Sequence, residues 1–93
     1  MTQPALFQPL TLRDLTVRNR AWVPPMCQYA VDVQDGVPGA WHTVHYGSFA
    51  IGGFGLVIAE ATGVTPEGRI TPFDTGLWND EQAAAWSSIV DFA

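Results

Sequence analysis

The sequence is poor in cysteine, in basic residues and in long apolar runs. Its single cysteine, Cys27, cannot form an internal disulfide, which is typical of a reducing compartment. Four of the 93 residues are basic and nine are acidic, and a net charge of −5 argues against nucleic acid or an anionic membrane as partner. Residues 49–59 are too few and too rich in glycine to span a bilayer. Residues 1–5 lack the basic and apolar regions of a signal peptide, so we expect a cytoplasmic protein.

The remaining composition, 47% hydrophobic and 14% charged, is typical of a globular chain. Apolar and polar residues alternate in Leu10-Thr11-Leu12 and in Leu15-Thr16-Val17, on either side of Arg13-Asp14. This pattern predicts a small β-hairpin with one covered face. Such a hairpin would cap one end of a larger body.

Two strand-then-helix units are predicted after the hairpin. The first has a strand over residues 20–23, a turn-rich loop over 30–40 and a helix over 41–51 that Gly52-Gly53 ends. The predicted apolar face of this helix is Trp41, Val44, Ser48 and Ile51, widened by Phe49 and Ala50.

The second unit begins with the continuously apolar strand 56–59, which we expect to be buried on both faces. A loop over 62–71 follows. A second helix begins after Asn79, with Gln82 in a capping-box position. Its predicted apolar face is Trp86, Ile89, Val90 and Ala93.

Repeated strand-then-helix order predicts an α/β protein, either a (β/α)₈ barrel or a doubly wound sheet. A (β/α)₈ barrel needs roughly 250 residues. Two parallel strands would leave open edges and half a core, so we expect this chain to be part of a larger domain.

The turn after the first strand is the predicted floor of a cofactor site. Pro24 and Pro25 end strand pairing and place Met26, Cys27 and Tyr29 just past the strand's carboxyl end, where parallel β/α folds bind ligands. Cys27 could be a nucleophile, a metal ligand, a redox thiol or buried volume. Tyr29 could donate a hydrogen bond to a substrate carbonyl or be a core tyrosine.

Other polar residues also allow two interpretations. His42 and His45 could share a metal, but no third ligand is placed by sequence, so packing and hydrogen bonding are favoured and no metal is expected. Glu60 could serve as a base or anchor a backbone or arginine contact. Arg69 could hold an anion or form a loop salt bridge. The glycines of 52–55 follow a helix and precede a strand, the reverse of a phosphate-binding loop.

Six segments, in this order and spacing, resemble the start of the old yellow enzyme family of flavin-dependent ene-reductases: residues 6–10, 17–20, 24–29, 41–47, 60–64 and 66–71. Cysteine at position 27, where other branches have threonine, is similar to the bacterial thermophilic-like subclass. The resemblance covers essentially the whole chain.

The resemblance implies a (β/α)₈ barrel whose bottom is closed by the N-terminal hairpin, with residues 1–93 as the N-terminal part of one FMN-binding domain. FMN would lie across the carboxyl ends of the strands, with Pro24, Pro25, Met26, Cys27 and Ala61 against the flavin. The Cys27 thiol would tune the flavin's potential. Tyr29 would reach into the substrate pocket.

The implied reaction uses NADPH, or less often NADH, to reduce FMN. Reduced flavin then transfers hydride to the activated C=C bond of an α,β-unsaturated carbonyl compound or nitroalkene. The implied partners are this small-molecule substrate, the remainder of the barrel and further copies of the protein. The alternatives are another flavin-dependent barrel oxidoreductase, such as a dienoyl-CoA reductase-like or amine-oxidising enzyme, and a non-catalytic module derived from a barrel.

Overall fold

The predicted hairpin is present at the start of the chain. The computed structural model describes residues 3–93, so Met1 and Thr2 of the segment considered for a signal peptide lie outside it. After a 3-10 turn at Ala5–Phe7, strand β1 (Leu10–Leu12) pairs antiparallel with β2 (Leu15–Val17). Val17 is buried, but Leu12 and Leu15 beside the turn are exposed, so only one end of the hairpin is covered.

A parallel pair of short strands forms the second sheet. Strand β3 (Trp22–Val23) pairs with β4 (Leu56–Val57), and flanking hydrogen bonds join Gly55 N to Ala21 O (2.9 Å) and Ile58 N to Val23 O (3.0 Å). Both strands are shorter than predicted. Contrary to expectation, 56–59 is not buried on both faces within residues 3–93, where this sheet has only two strands and Ile58 is 41% exposed.

Helix α1 (Ala40–Gly52) crosses from β3 to β4 and ends, as predicted, where Gly53 adopts a left-handed φ of 91°. Within residues 3–93 its predicted apolar face is not the buried one: Trp41, Val44 and Ile51 are exposed. The buried face carries His42, Tyr46 and Gly47 instead. A Cβ at Gly47 would lie 2.8 Å from the Phe92 ring of the second helix, so a larger residue there would displace that exposed ring.

Helix α2 (Asp80–Phe92) begins with the predicted capping box. Asn79 Oδ1 accepts from Gln82 N (2.9 Å), and Gln82 Oε1 accepts from Asn79 N (3.2 Å). Ile89 is buried and Trp86 half-buried against α1, whereas Val90 and Ala93 are exposed. The predicted apolar face of α2 is therefore only half correct.

The two long loops after β3 and β4 are hydrogen-bonded to each other. Val31 N donates to Phe73 O (3.0 Å), and Gly76 N donates to Gly36 O (2.8 Å). Because both loops follow the carboxyl ends of parallel strands, together they form one surface at that end of the sheet. No helix among residues 3–93 combines the length and apolarity needed to cross a membrane.

Candidate functional site

The turn that follows β3 lies open at the carboxyl end of the parallel strands. Pro24, Pro25 and Met26 are exposed, and the free thiol of Cys27 is partly buried. The turn reaches Tyr29, whose φ of 50° lies in the left-handed region that bulky residues rarely adopt. Strain of this kind is found at ligand sites, where the surrounding structure holds it in place.

Tyr29 and Cys27 interact through their side chains. A hydrogen bond with Cys27 raises the pKa of the Tyr29 phenol above its usual value, and the nearby thiol adds to this effect. Within residues 3–93 Tyr29 is 48% exposed and is not part of their apolar core. The structure leaves the Cys27 thiol partly exposed and places it beside the Tyr29 phenol.

The end of β4 contributes the second part of the same surface. Ala61 is exposed four residues after the strand. None of the hydrogen bonds within residues 3–93 uses the backbone N–H of Met26, Cys27 or Ala61. A surface of small or flat apolar side chains with free N–H donors fits a planar aromatic ring that carries carbonyl and ring-nitrogen acceptors along its edge, as a flavin does.

Behind this surface, Tyr46 of α1 anchors Glu60 through two hydrogen bonds. Tyr46 Oη donates to Glu60 Oε2 (2.6 Å) and accepts from Glu60 N (2.9 Å). Burial, and then the hydrogen bond to Glu60, raise the pKa of Tyr46 far above its usual value, with a smaller contribution from nearby Cys27. Glu60 therefore anchors a contact, as one of the two sequence interpretations expected, and its partner is a tyrosine that the sequence analysis missed.

His42 completes a buried cluster of three polar side chains, His42, Tyr46 and Glu60. His42 Nδ1 accepts from Gly39 N (3.0 Å), which assigns the proton of the neutral ring to Nε2. Nε2 lies 3.7 Å from Glu60 Oε1 and has no hydrogen-bond partner within residues 3–93. Burial acts to raise the pKa of Glu60, but the contacts with His42 and Tyr46 outweigh it and lower that pKa.

His45 has a different role from His42. Its ring packs edge-on against Tyr46 and Phe49, with centroids 4.9 Å and 4.8 Å away, and stacks on Trp41 at 6.3 Å. The two histidines therefore serve packing and hydrogen bonding, as the sequence analysis favoured. Among residues 3–93 no group of three histidine, cysteine or acidic side chains is placed to hold a metal.

Arg69 joins the two loops through backbone carbonyls. Its guanidinium donates to Pro66 O (2.9 Å), Gln34 O (3.0 Å) and Pro72 O (3.1 Å), and lies 5.1 Å from the centre of the Trp78 ring. The loop salt bridge, one of the two sequence interpretations of Arg69, is not formed within residues 3–93.

Asp74 and Gln82 hold these loops and were not recognised as loop anchors from the sequence. Asp74 Oδ2 accepts from Ile70 N (2.6 Å) and Thr71 N (3.2 Å). Gln82 Nε2 donates to Asp35 O (3.0 Å). The spacing of Asp74 from Ile70 is a local signal that could have indicated a turn anchor, whereas the contact between Gln82 and Asp35 spans 47 residues.

The match to a protein family covers nearly the whole chain. The model of the NADH:flavin oxidoreductase / NADH oxidase family matches residues 5–92. The chain belongs to this family. Membership confirms the predicted flavin cofactor at the level of the family.

Curated relatives of the chain include NADPH dehydrogenases. That of Geobacillus thermodenitrificans is 53% identical over 76 residues, covering 82% of this chain and 22% of the relative. That of Listeria monocytogenes is 51% identical over 86 residues, covering 92% of this chain and 25% of the relative. The chain thus spans about a quarter of the length of these relatives, whose names agree with NADPH as hydride donor.

Solved structures of the same group superimpose closely on the chain. Morphinone reductase in complex with tetrahydroNAD gives a TM-score of 0.85 at 36% identity, covering 97% of this chain and 24% of that one. The old yellow enzyme from Trypanosoma cruzi gives a TM-score of 0.85 at 35% identity, covering 96% of this chain and 23% of that one. The resemblance to old yellow enzymes and the predicted fold class, the N-terminal portion of a (β/α)₈ barrel with a hairpin, are confirmed.

Proposed function

We propose that residues 1–93 form the N-terminal part of a single FMN-binding (β/α)₈ domain in an NAD(P)H-dependent ene-reductase of the thermophilic-like subclass. The substrate class is an α,β-unsaturated carbonyl compound or a nitroalkene, whose activated C=C bond is reduced. The observation that carries this proposal is the open surface at one end of the sheet, where the Pro24–Cys27 turn and Ala61 present apolar contacts and free N–H groups.

In this proposal Pro24, Pro25, Met26 and Ala61 bind the flavin mainly by van der Waals contact and backbone hydrogen bonds. Bound FMN supplies the capacity to accept hydride from the nicotinamide and donate it to the alkene. The Cys27 thiol donates toward the flavin and thereby stabilises negative charge on its reduced form. Holding flavin and alkene in fixed geometry is the main contribution of the protein.

Tyr29 is the proposed substrate-pocket residue in this stretch. Its phenol is exposed, and a tyrosine hydroxyl is protonated at neutral pH and so can donate a hydrogen bond. A protonated phenol at a site mouth can donate a hydrogen bond to the activating carbonyl or nitro group and polarise it. The remainder of the barrel, association with further copies of the protein and a cytoplasmic location are part of the same proposal.

The test is made on the complete protein that contains these residues. Native mass spectrometry is expected to show one FMN per barrel, and anaerobic NADPH oxidation is expected to depend on added 2-cyclohexenone. Ala61→Leu would place a bulky side chain on the flavin surface and is expected to abolish FMN binding. Ala84→Leu makes the same change on the exposed side of α2 and is expected to leave it intact.

Each other outcome is informative. Protein that neither contains nor takes up FMN would contradict the proposal and favour the non-catalytic module. Flavin-containing protein whose NADPH oxidation ignores enones and nitroalkenes would favour another flavin-dependent barrel oxidoreductase.

A further inference from the structure

The buried cluster of His42, Tyr46 and Glu60 connects helix α1 to the proposed flavin surface. Glu60 directly precedes Ala61, and both its carboxylate and its backbone N–H are bonded to the Tyr46 hydroxyl. These bonds fix the backbone from which Ala61 projects. The relative exposures of the three side chains are 1%, 5% and 4%, so the cluster is closed to water.

The carboxylate of Glu60 brings an electrostatic effect as well as an anchor. Within residues 3–93 the only ion-pair contact it makes is with His42 Nε2 at 3.7 Å, longer than a hydrogen bond. No arginine neutralises it within that part of the chain. A buried charge is screened far less than an exposed one, so it acts over a longer distance.

We propose that Glu60 and Tyr46 are positioning residues of the flavin site, and that the Glu60 carboxylate lowers the reduction potential of the bound flavin. This inference rests on the proposed function. Reduction adds negative charge to the flavin, and a fixed negative charge just behind its binding surface disfavours that change. The Tyr46 hydroxyl offsets part of the carboxylate's charge through its hydrogen bond.

The two residues are therefore expected to shift the flavin's potential in opposite directions. Glu60→Gln removes the charge and keeps the shape, so the midpoint potential should become more positive. Tyr46→Phe keeps the charge but removes its donor, so the potential should become more negative. If the two substitutions acted only by loosening the packing around the flavin, there would be no reason for the two midpoint potentials to shift in opposite directions.

The experiment is spectroelectrochemical titration of the bound flavin in the complete holoprotein at pH 8. Glu67→Gln is the matched control, because it removes one carboxylate charge from the exposed 3-10 turn Pro66–Gly68. Its potential is expected to equal that of the wild type. A Glu60→Gln potential equal to that of Glu67→Gln, with flavin bound in both, would overturn the inference.

A second measurement decides the question if Glu60→Gln does not retain flavin. The midpoint potential of the flavin is then measured in the Tyr46→Phe holoprotein. A potential below that of the wild type supports the inference, and an unchanged or higher potential overturns it. Wild-type protein that never binds FMN would sink the proposed function instead, so the two failures are distinguishable.

Discussion

Polar side chains are buried as deeply as apolar ones in residues 3–93. His42, Glu60, Asp74, Thr75 and Gln82 each have a relative exposure of 4% or less. Buried polar groups of this kind are stable because they are hydrogen-bonded, and each bond lost exposes an unsatisfied partner at a cost of about 1–3 kcal/mol. Their placement therefore determines the local structure as strictly as the apolar core does.

Glu60 is expected to make stability depend on pH in the acid range. Its pKa in the folded protein lies below the ordinary value of 4.5, so the folded state favours the ionised form. The resulting stabilisation is fully present above pH 4.5 and is lost as the pH falls through the lower, folded-state pKa. Glu60→Gln should remove this part of the acid sensitivity.

Urea unfolding of the complete protein between pH 7 and pH 3 measures the effect. As the pH falls, the free energy of unfolding should decrease more in the wild type than in Glu60→Gln. Glu67→Gln, an exposed change of the same charge, should follow the wild-type curve. Parallel curves for the wild type and Glu60→Gln would show that the pKa is not lowered.

At the scale of elements, local signals were predicted better than long-range ones. The hairpin, both helix starts and the Gly53 cap were predicted because their signals lie within a few residues. The face of α1 was not, because periodicity counts apolar residues and cannot register that Tyr46 binds Glu60 fourteen residues away. The candidate site was inferred from the strand ends, which are local signals, but the cluster behind it depends on such distant pairs.

Gln82 is expected to stabilise the junction between α2 and the first loop. Its Oε1 accepts from Trp78 N (2.7 Å) and Asn79 N (3.2 Å), while its Nε2 donates to Asp35 O (3.0 Å). Gln82→Ala leaves these groups without partners and should lower the free energy of unfolding by about 2–3 kcal/mol.

Glu81→Ala is the matched truncation one residue earlier, at an exposed position, and should cost about 0.5 kcal/mol or less. Chemical denaturation of the complete protein compares the two variants. Equal losses would show that the contact with Asp35 contributes nothing. Amide hydrogen exchange in the loop around Asp35 should also become faster in Gln82→Ala and stay unchanged in Glu81→Ala.

At the scale of the whole molecule, the described chain exposes far more large apolar side chains than it buries. Those exposed include Leu12, Leu15, Val44, Ile51 and Val90, whereas the buried apolar residues are Val17, Val23, Val31, Tyr46 and Ile89. The radius of gyration is 15.1 Å, against about 13 Å for a compact domain of 100 residues. Apolar surface of this extent is typical of an interface that other structure covers.

The 93-residue chain prepared by itself is therefore expected to bind the dye ANS strongly and to associate in solution. The complete protein, with the rest of the proposed barrel, should bind little dye. ANS fluorescence and size-exclusion chromatography at equal molar concentration measure both properties. A monodisperse 93-residue chain that unfolds cooperatively and binds no dye would support the self-standing module.

The hydrogen bonds between the two loops also limit how such a protein can be re-engineered. Val31 with Phe73, Gly36 with Gly76 and Gln34 with Arg69 each pair one residue from either loop. Because two of these pairs join backbone to backbone, they depend on the path of each loop more than on its side chains. A transplanted loop of different length or backbone path would therefore break them unless residues 30–39 and 62–79 were exchanged together.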